Sequence, residues 1–340
     1  MRQLTCTAPG VVEWCDVADP ALLDDADAIV RPVAVARCEI DPFLIFAGPT
    51  RAPRFALGHE AVVEVVALGS AVGAIDIGAL ALPSFQVSCG RCSRCRRGKS
   101  AICSEYPLLS DYGMEPLSGV EYGGMLSDLV RVPNADTMLT PLPAGVDPIA
   151  AASVPDNVLD GYRSVAPHLE RQPGADVLIA SHGLPSIGLY AAHCATALGA
   201  GSVTVASADE SVLRLAGKLG ARPLRVDFNE RSAEKWPIVV DCGSEPTGFE
   251  WAVRATEPEG VLHSVSSYLE DTVSMPLRRL YTLGIEFHIG RAHSAALLPE
   301  VAALVQSGRL HPELVTTCVI GWDDAADRFL EPTIKLIIKR

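Results

Sequence analysis

Cys89-Gly-Arg-Cys92-Ser-Arg-Cys95 followed by Cys103 spells C-x2-C-x2-C-x7-C, and this spacing constrains the chain more than any other feature of its sequence. A loop this short wraps four thiolates around one tetrahedral ion, and four protein sulfurs leave no open position for water or substrate. The implied occupant is a structural Zn²⁺ that stabilises a lobe and does no chemistry, with an iron–sulfur cluster as the alternative. Arg91, Arg94, Arg96, Arg97 and Lys99 lie among these cysteines and offset the negative charge of a four-thiolate centre. A nucleic-acid role for them is opposed by the chain as a whole, whose 28 Lys+Arg against 41 Asp+Glu give a net charge of −13. The stretch Met1-Arg2-Gln3-Leu4-Thr5-Cys6 has no continuous apolar region, so a cytoplasmic chain with ten reduced thiols is expected. Residues 61–83 are the greasiest run, but Glu64, Asp76 and three glycines break it into paired strands, so no membrane partner is expected. With 340 residues and 49% hydrophobic content, two domains can each bury a core.

Upstream stand Cys38-Glu39-Ile40-Asp41 and then Gly58-His59-Glu60 opening a Val-rich run. Taken singly, a buried Cys reads as a small hydrophobe and a lone His as a satisfied core or surface residue. The order Cys, Gly-His-Glu, C-x2-C-x2-C-x7-C is far more specific than its parts. With it the chain resembles the zinc-dependent medium-chain alcohol dehydrogenase family over nearly its whole length. That resemblance implies an α/β fold: a Rossmann-type doubly wound parallel sheet plus a mostly β, GroES-like catalytic domain with a zinc lobe at about residues 86–105. Residues 1–152 and 291–340 are then the catalytic domain and 153–290 the dinucleotide-binding domain.

The resemblance also implies a second, catalytic zinc. Its ligands would be Cys38 and His59, with Glu60 as an adjacent or exchangeable ligand and Asp41 orienting His59 through the other ring nitrogen. The third ligand is expected in Ser153-Val-Pro-Asp156-Asn-Val-Leu-Asp160-Gly161-Tyr162, which is similar to the family's Asp-x-x-x-Thr-Gly-aromatic run. Asp156 fits that place, and Asp160 replaces a Thr that lies near the nicotinamide. Read by itself, Asp156 is also a candidate helix N-cap. One neutral His, one thiolate and one carboxylate leave a fourth position open, the composition of a catalytic site.

After Pro173-Gly174 the order is an apolar run Asp176-Val-Leu-Ile-Ala-Ser181, a turn His182-Gly-Leu-Pro-Ser-Ile-Gly188 and a helical stretch to Leu198. Strand, Gly-rich turn and helix open a dinucleotide fold, in which helix N-terminal amides receive the pyrophosphate. The G-x-G-x-x-G pattern survives as Gly183-Leu-Pro185-Ser186-Ile187-Gly188, with Pro185 in place of the middle Gly. A second strand, Ser202-Val-Thr-Val-Ala-Ser207, ends in Ser207 where an acidic residue would select NAD. A neutral hydroxyl there tilts the choice toward NADP(H) over NAD(H), with Asp209 close by and Arg214 as the nearest cation in sequence. Later apolar runs end in small residues near Ser244, Ser266 and Gly290. The resemblance sets Ser264, Ser266 and Ser267 with Ile289 and Arg291 near the nicotinamide. From Leu297 a helix and two late strands, ending at Ile338, return the chain to the catalytic domain.

Two departures from the family matter. Ile40 stands where a Ser or Thr usually relays a proton, and its side chain cannot. Val63 replaces a frequent Gly and bears on packing. Three functions remain open. The first is zinc-dependent hydride transfer between a nicotinamide and an alcohol or carbonyl, the proton passing through water, Asp160 or Glu39. The second is reduction of a conjugated C=C or iminium substrate, and the third a catalytically idle zinc- and nucleotide-binding protein. Ile40, Phe43 and the Tyr-bearing loop at 111–124 suggest an apolar alcohol, aldehyde or ketone as substrate, and the resemblance implies a homodimer or homotetramer.

Overall fold

Runs of Val, Ile and Ala too apolar to face water on either side form the central strands. The computed structural model describes residues 1–50, 52–243, 245–266 and 272–340. Along the chain come β1 (Arg2–Ala8), β2 (Val11–Asp16), β3 (Ala28–Ala36), helix α1 (Ile40–Ala47), β4 (Phe55–Ala56), β5 (Glu60–Leu68) and β6 (Leu80–Pro83). They are followed by β7 (Val130–Val132), α2 (Ala135–Met138), β8 (Leu139–Pro141), α3 (Pro148–Ala151) and a π-helical turn at Val154–Val158.

The next elements are α4 (Leu159–Arg171), β9 (Val177–His182), α5 (Pro185–Ala197), β10 (Val203–Ser207), α6 (Glu210–Lys218) and β11 (Arg222–Arg225). Then come β12 (Trp236–Gly243), α7 (Pro246–Ala255), β13 (Thr256–Ser264), α8 (Leu277–Leu283) and β14 (Glu286–Ile289). Helix α9 (Ser294–Gln306), β15 (Cys318–Gly321), α10 (Ala325–Arg328) and β16 (Leu336–Lys339) close the sequence.

One compact unit comprises Met1–Leu159, Ala292–Gly308 and Thr316–Arg340. Its larger sheet runs β15-β16-β3-β5-β6-β8, with β7 also on β3, and a smaller one runs β2-β1-β4. Strands β3 and β5 are antiparallel, β3 buried along most of its length and β5 over its first four residues. Pro32, which cannot donate to a ladder, sits at a register shift of β3, where a central strand tolerates it. Val63 is buried opposite Pro32 and Ala81, a packing position.

The other unit, Asp160–Arg291 with Arg309–Val315, holds a six-stranded parallel sheet in the order β11-β10-β9-β12-β13-β14. In order of appearance this is 3-2-1-4-5-6, a doubly wound sheet whose order reverses between β9 and β12.

The first unit therefore extends to Leu159 rather than stopping at residue 152. The reason is local: the π-helical turn packs on β5, β6 and α9, all of the first unit. Residues 309–315 belong with the second unit rather than the first. No helix among the described residues is long and apolar enough to cross a membrane.

Candidate metal centre and dinucleotide turn

Two clusters of ligand side chains lie within the first unit. In the loop, Cys89, Cys92, Cys95 and Cys103 bring their Sγ atoms within 4.8 Å of one another. Sulfurs 2.3 Å from a tetrahedral zinc lie about 3.8 Å apart, and here Cys92 and Cys103 are 3.9 Å apart and Cys89 and Cys103 3.5 Å. Backbone N–H groups of Cys92, Cys95 and Glu105 donate to the sulfurs of Cys89, Cys92 and Cys103 at 3.3–3.4 Å. Donors aimed at sulfur are what four thiolates sharing one cation require. All ten cysteines are free thiols.

The second cluster joins Cys38, His59, Glu60 and Asp156, again with one ligand atom each within 4.8 Å. Cys38 precedes α1, and its backbone N–H donates to Asp41 Oδ2 at 2.9 Å, so the short helix ties Asp41 back to the cysteine. His59 immediately precedes β5. Its Nε2 lies 3.3 Å from Asp156 Oδ2 and its Nδ1 3.5 Å from Asp41 Oδ1, so the ring is held between two carboxylates with no exposure of its own. Its backbone is pinned from outside. Met125 N–H donates to Gly58 O at 2.7 Å and Leu126 N–H to Leu57 O at 3.0 Å. Gly113, with φ of +61°, lets a second loop lie flat on Gly58 where a Cβ would overlap it. Asp156 is in the middle of the π-helical turn, not at a helix N-cap. π turns of this kind recur at functional sites.

Two residues that sequence reasoning passed over complete the centre. Lys335, just before β16, is fully buried, and its Nζ donates to both carboxylate oxygens of Glu60 at 2.8 Å, to Arg37 O at 3.0 Å and to Asn157 Oδ1. Asn157 Nδ2 lies 3.2 Å from Cys38 Sγ and 3.3 Å from Asp156 Oδ2. A lone Lys next to an apolar run such as Leu336-Ile-Ile signals a buried ion pair, but nothing in the sequence names its partner.

Charge in this pocket is crowded. Burial, then the charges of Asp156 and Glu60, pushes the Cys38 thiol well above its usual range. Burial likewise pushes Glu60 up to about 8 against the pull of Lys335. For His59 burial works the other way, but the Asp41 charge and the Asp156 hydrogen bond outweigh it and raise the imidazole to about 9. Burial also raises Asp41, whereas for Asp156 burial is outweighed by the hydrogen bond and charge of His59, which hold its carboxyl below the usual carboxylate range. A thiolate, an imidazole nitrogen and a carboxylate converging on one point fit zinc.

In the second unit, Gly183 follows β9, and Pro185, Ser186, Ile187 and Gly188 make the first turn of α5. Pro185 is the first helical residue, where its missing N–H costs nothing. Gly188 lies flat against Ile179 and Ser181 of β9, the close helix–strand approach that the last glycine of such turns permits. The order of the sheet and this turn fit a dinucleotide. At the reversal between β9 and β12, His182 Nε2 lies 2.7 Å from Asp241 Oδ1. Ser264 and Ser266 donate to Asp241 Oδ2 at 2.7 and 3.3 Å. His182 and Asp241 are further residues that sequence reasoning missed.

The other expected cofactor residues lie at strand ends of this sheet and on α4. Ser207 ends β10 and its Oγ accepts from Asp209 N–H at 3.2 Å. Asp160, on α4, is engaged by Arg163. Ile289 ends the edge strand β14 and is exposed, with Arg291 just beyond it. Ser244 and Ser267 lie outside the described residues. Of the expected pocket aromatics, Phe43 is half exposed on α1. Tyr112 is instead buried, donating to Arg131 O at 2.9 Å and packing on Tyr122.

The alcohol dehydrogenase GroES-like domain matches residues 24–144. A probable zinc-binding alcohol dehydrogenase of Mycobacterium tuberculosis is 26% identical, covering 96% of this chain and 84% of that protein. A medium chain reductase/dehydrogenase of an Acremonium species is 30% identical over 60% of this chain and 69% of its own length. Among solved structures, an alcohol dehydrogenase from Thermus sp. ATN1 superposes with a TM-score of 0.89 at 24% identity, covering 100% of this chain and 99% of that one.

Proposed function

The chain belongs to the zinc-dependent medium-chain dehydrogenase/reductase family, and on that premise we propose an enzyme that transfers hydride between a nicotinamide and a small alcohol or carbonyl substrate. The observation that carries this reading is the convergence of Cys38, His59 and Asp156. A soft thiolate, a borderline imidazole and a hard carboxylate suit zinc, and three protein ligands leave a place for substrate oxygen. When bound there, zinc supplies Lewis-acid stabilisation of charge on that oxygen, and the nicotinamide supplies or accepts the hydride.

The chain's own residues do the rest. Asp41 faces Nδ1 of His59 and sets the ring so that Nε2 points at the centre. Lys335 grips both oxygens of Glu60 and so competes with a metal for that carboxylate, one oxygen of which stands within reach of the other three ligand atoms. Ile40 begins α1 and offers no hydroxyl, so the substrate proton passes by water or by a carboxylate such as Glu39. The four-cysteine loop takes a second, structural zinc. For the cofactor we favour NADP(H): strand pairing sets Arg225 in register beside Ser207, supplying the cation that a 2′-phosphate needs. The subunits are proposed to assemble as a homodimer or homotetramer.

The missing hydroxyl at Ile40 also favours a second reading, reduction of a conjugated C=C or iminium group, which has less need of proton delivery to oxygen. Metal content per chain, measured beside NADPH and NADH titrations by cofactor fluorescence and followed by NADPH consumption on a carbonyl and enone panel, tests these proposals. Two zincs, tighter NADPH and turnover of ketones or aldehydes are expected. A single zinc removed only by denaturation would sink the catalytic-metal assignment, and turnover of enones alone would select the second reading.

A further inference from the structure

The geometry points to Asn157 as a positioning residue of the metal centre, one whose carboxamide carries the influence of Lys335 to the ligand atoms of Cys38 and Asp156; the inference rests on the zinc reading above.

Asn157 is fully buried, and each end of its side-chain amide has a partner in the centre. Nδ2 faces Cys38 Sγ at 3.2 Å and Asp156 Oδ2 at 3.3 Å, while Oδ1 accepts from Lys335 Nζ. A primary amide offers two N–H donors and one acceptor oxygen. The partners fix which end is which, because the flipped amide would set its oxygen against a thiolate and a carboxylate and its NH₂ against an ammonium. Lys335 in turn donates to Glu60, Arg37 O and Asn157, so besides the direct pull of its charge on Cys38 and Asp156, the amide is the hydrogen-bonded link from its ammonium to them. A cation bound to the carbonyl end polarises the amide and strengthens its two N–H donors.

The backbone explains how a residue adjacent to a ligand can do this. Successive side chains on an α-helix diverge by about 100°, which would turn Asn157 away when Asp156 faces in. The wider π turn at Val154–Val158 reduces that divergence, and both side chains reach the same centre. Two donors drawing charge from a thiolate and a carboxylate make those ligands weaker electron donors. A metal held there would be the more electrophilic for it, and Asp156 is held in one orientation.

The test exchanges the metal at this site for Co²⁺ and reads the thiolate-to-cobalt charge-transfer band, isolated as the difference between the wild-type spectrum and that of Cys38→Ser. Asn157→Leu keeps the volume and removes the donors, and the band is expected to move to longer wavelength with the cobalt retained. Asn157→Asp keeps the acceptor for Lys335 but turns a negative group toward Cys38, and a larger move in the same direction is expected. If the leucine variant does not fold, the aspartate variant decides. Folded variants with a lowered melting temperature and a band at the wild-type position would reduce Asn157 to a packing residue and overturn the inference. A wild-type spectrum with no band lost in Cys38→Ser would instead overturn the zinc reading, and this inference with it.

Discussion

His59 has a carboxylate facing each ring nitrogen, and Cys92 sits in a loop where the backbone N–H groups of Cys92, Cys95 and Glu105 donate to cysteine sulfurs. These surroundings predict opposite outcomes for two single substitutions. His59→Ala is expected to lose one zinc per chain and at least about 10³-fold in turnover, the several kcal/mol of charge stabilisation that a metal supplies, while the chain stays folded. Cys92→Ser is expected to lose the other zinc and to unfold the segment around residues 86–105, because such sites couple binding to folding. Metal analysis beside thermal melts and protease mapping distinguishes the two, and a His59→Ala protein that unfolds as readily as Cys92→Ser would erase the division. The ligand candidates are legible in sequence because thiols and imidazoles at family spacing are rare. Lys335 and Asn157 are not. The partner of Lys335 lies 275 residues away, and Asn157 acts through a π turn that leaves no mark on hydrophobic periodicity.

Elements at the centre of the second unit are legible for a simple reason: strands β9, β10 and β12 are buried on both faces and so read as apolar runs of strand length. Their register is not. Arg214 is the cation nearest Ser207 along the chain, yet pairing of β10 with β11 sets Arg225 level with Ser207. Arg225 is exposed and ion-paired with Glu210, an arrangement that contributes little to stability and leaves the guanidinium free to exchange partners. Arg225→Ala should therefore weaken NADPH binding by roughly tenfold, about 1.4 kcal/mol, and leave NADH binding unchanged, as read by fluorescence titration. An equal loss for both cofactors would place Arg225 outside the 2′-phosphate pocket. The boundary between units is set by packing in the same way. Residues 153–159 resemble the start of the next helix, and only the packing of the π turn on β5, β6 and α9 assigns them to the first unit.

At the scale of the molecule, acid should act on the nucleotide-binding unit through its buried imidazoles. Burial, then neighbouring His288, depresses His168 to about 4, and burial with His311 does the same to His193. Burial and Arg163 hold His263 at about 2. These groups are neutral in the fold and accept protons near 6.5 once unfolded, so the unfolded state binds more protons as pH falls. The contribution of these three histidines is then complete above about pH 6.5 and declines from there toward pH 4, each adding at most about 1.4 kcal/mol per pH unit. Urea melts between pH 7.5 and pH 4.5 check this, and His193→Gln should flatten the slope; an unchanged slope would remove His193 from the account. The grip of Lys335 on Glu60 has a consequence in time as well. At about 5–20 residues per second on the ribosome, the 275 positions between them mean that Glu60 emerges on the order of 15–55 s before the ammonium that neutralises it. The first unit is thus begun early and finished late, with the whole second unit translated in between, and during that interval the nascent metal pocket has an acid without its cation. Ribosome-bound chains arrested before residue 335 should take up zinc in the four-cysteine loop while the other centre waits for release of the full polypeptide.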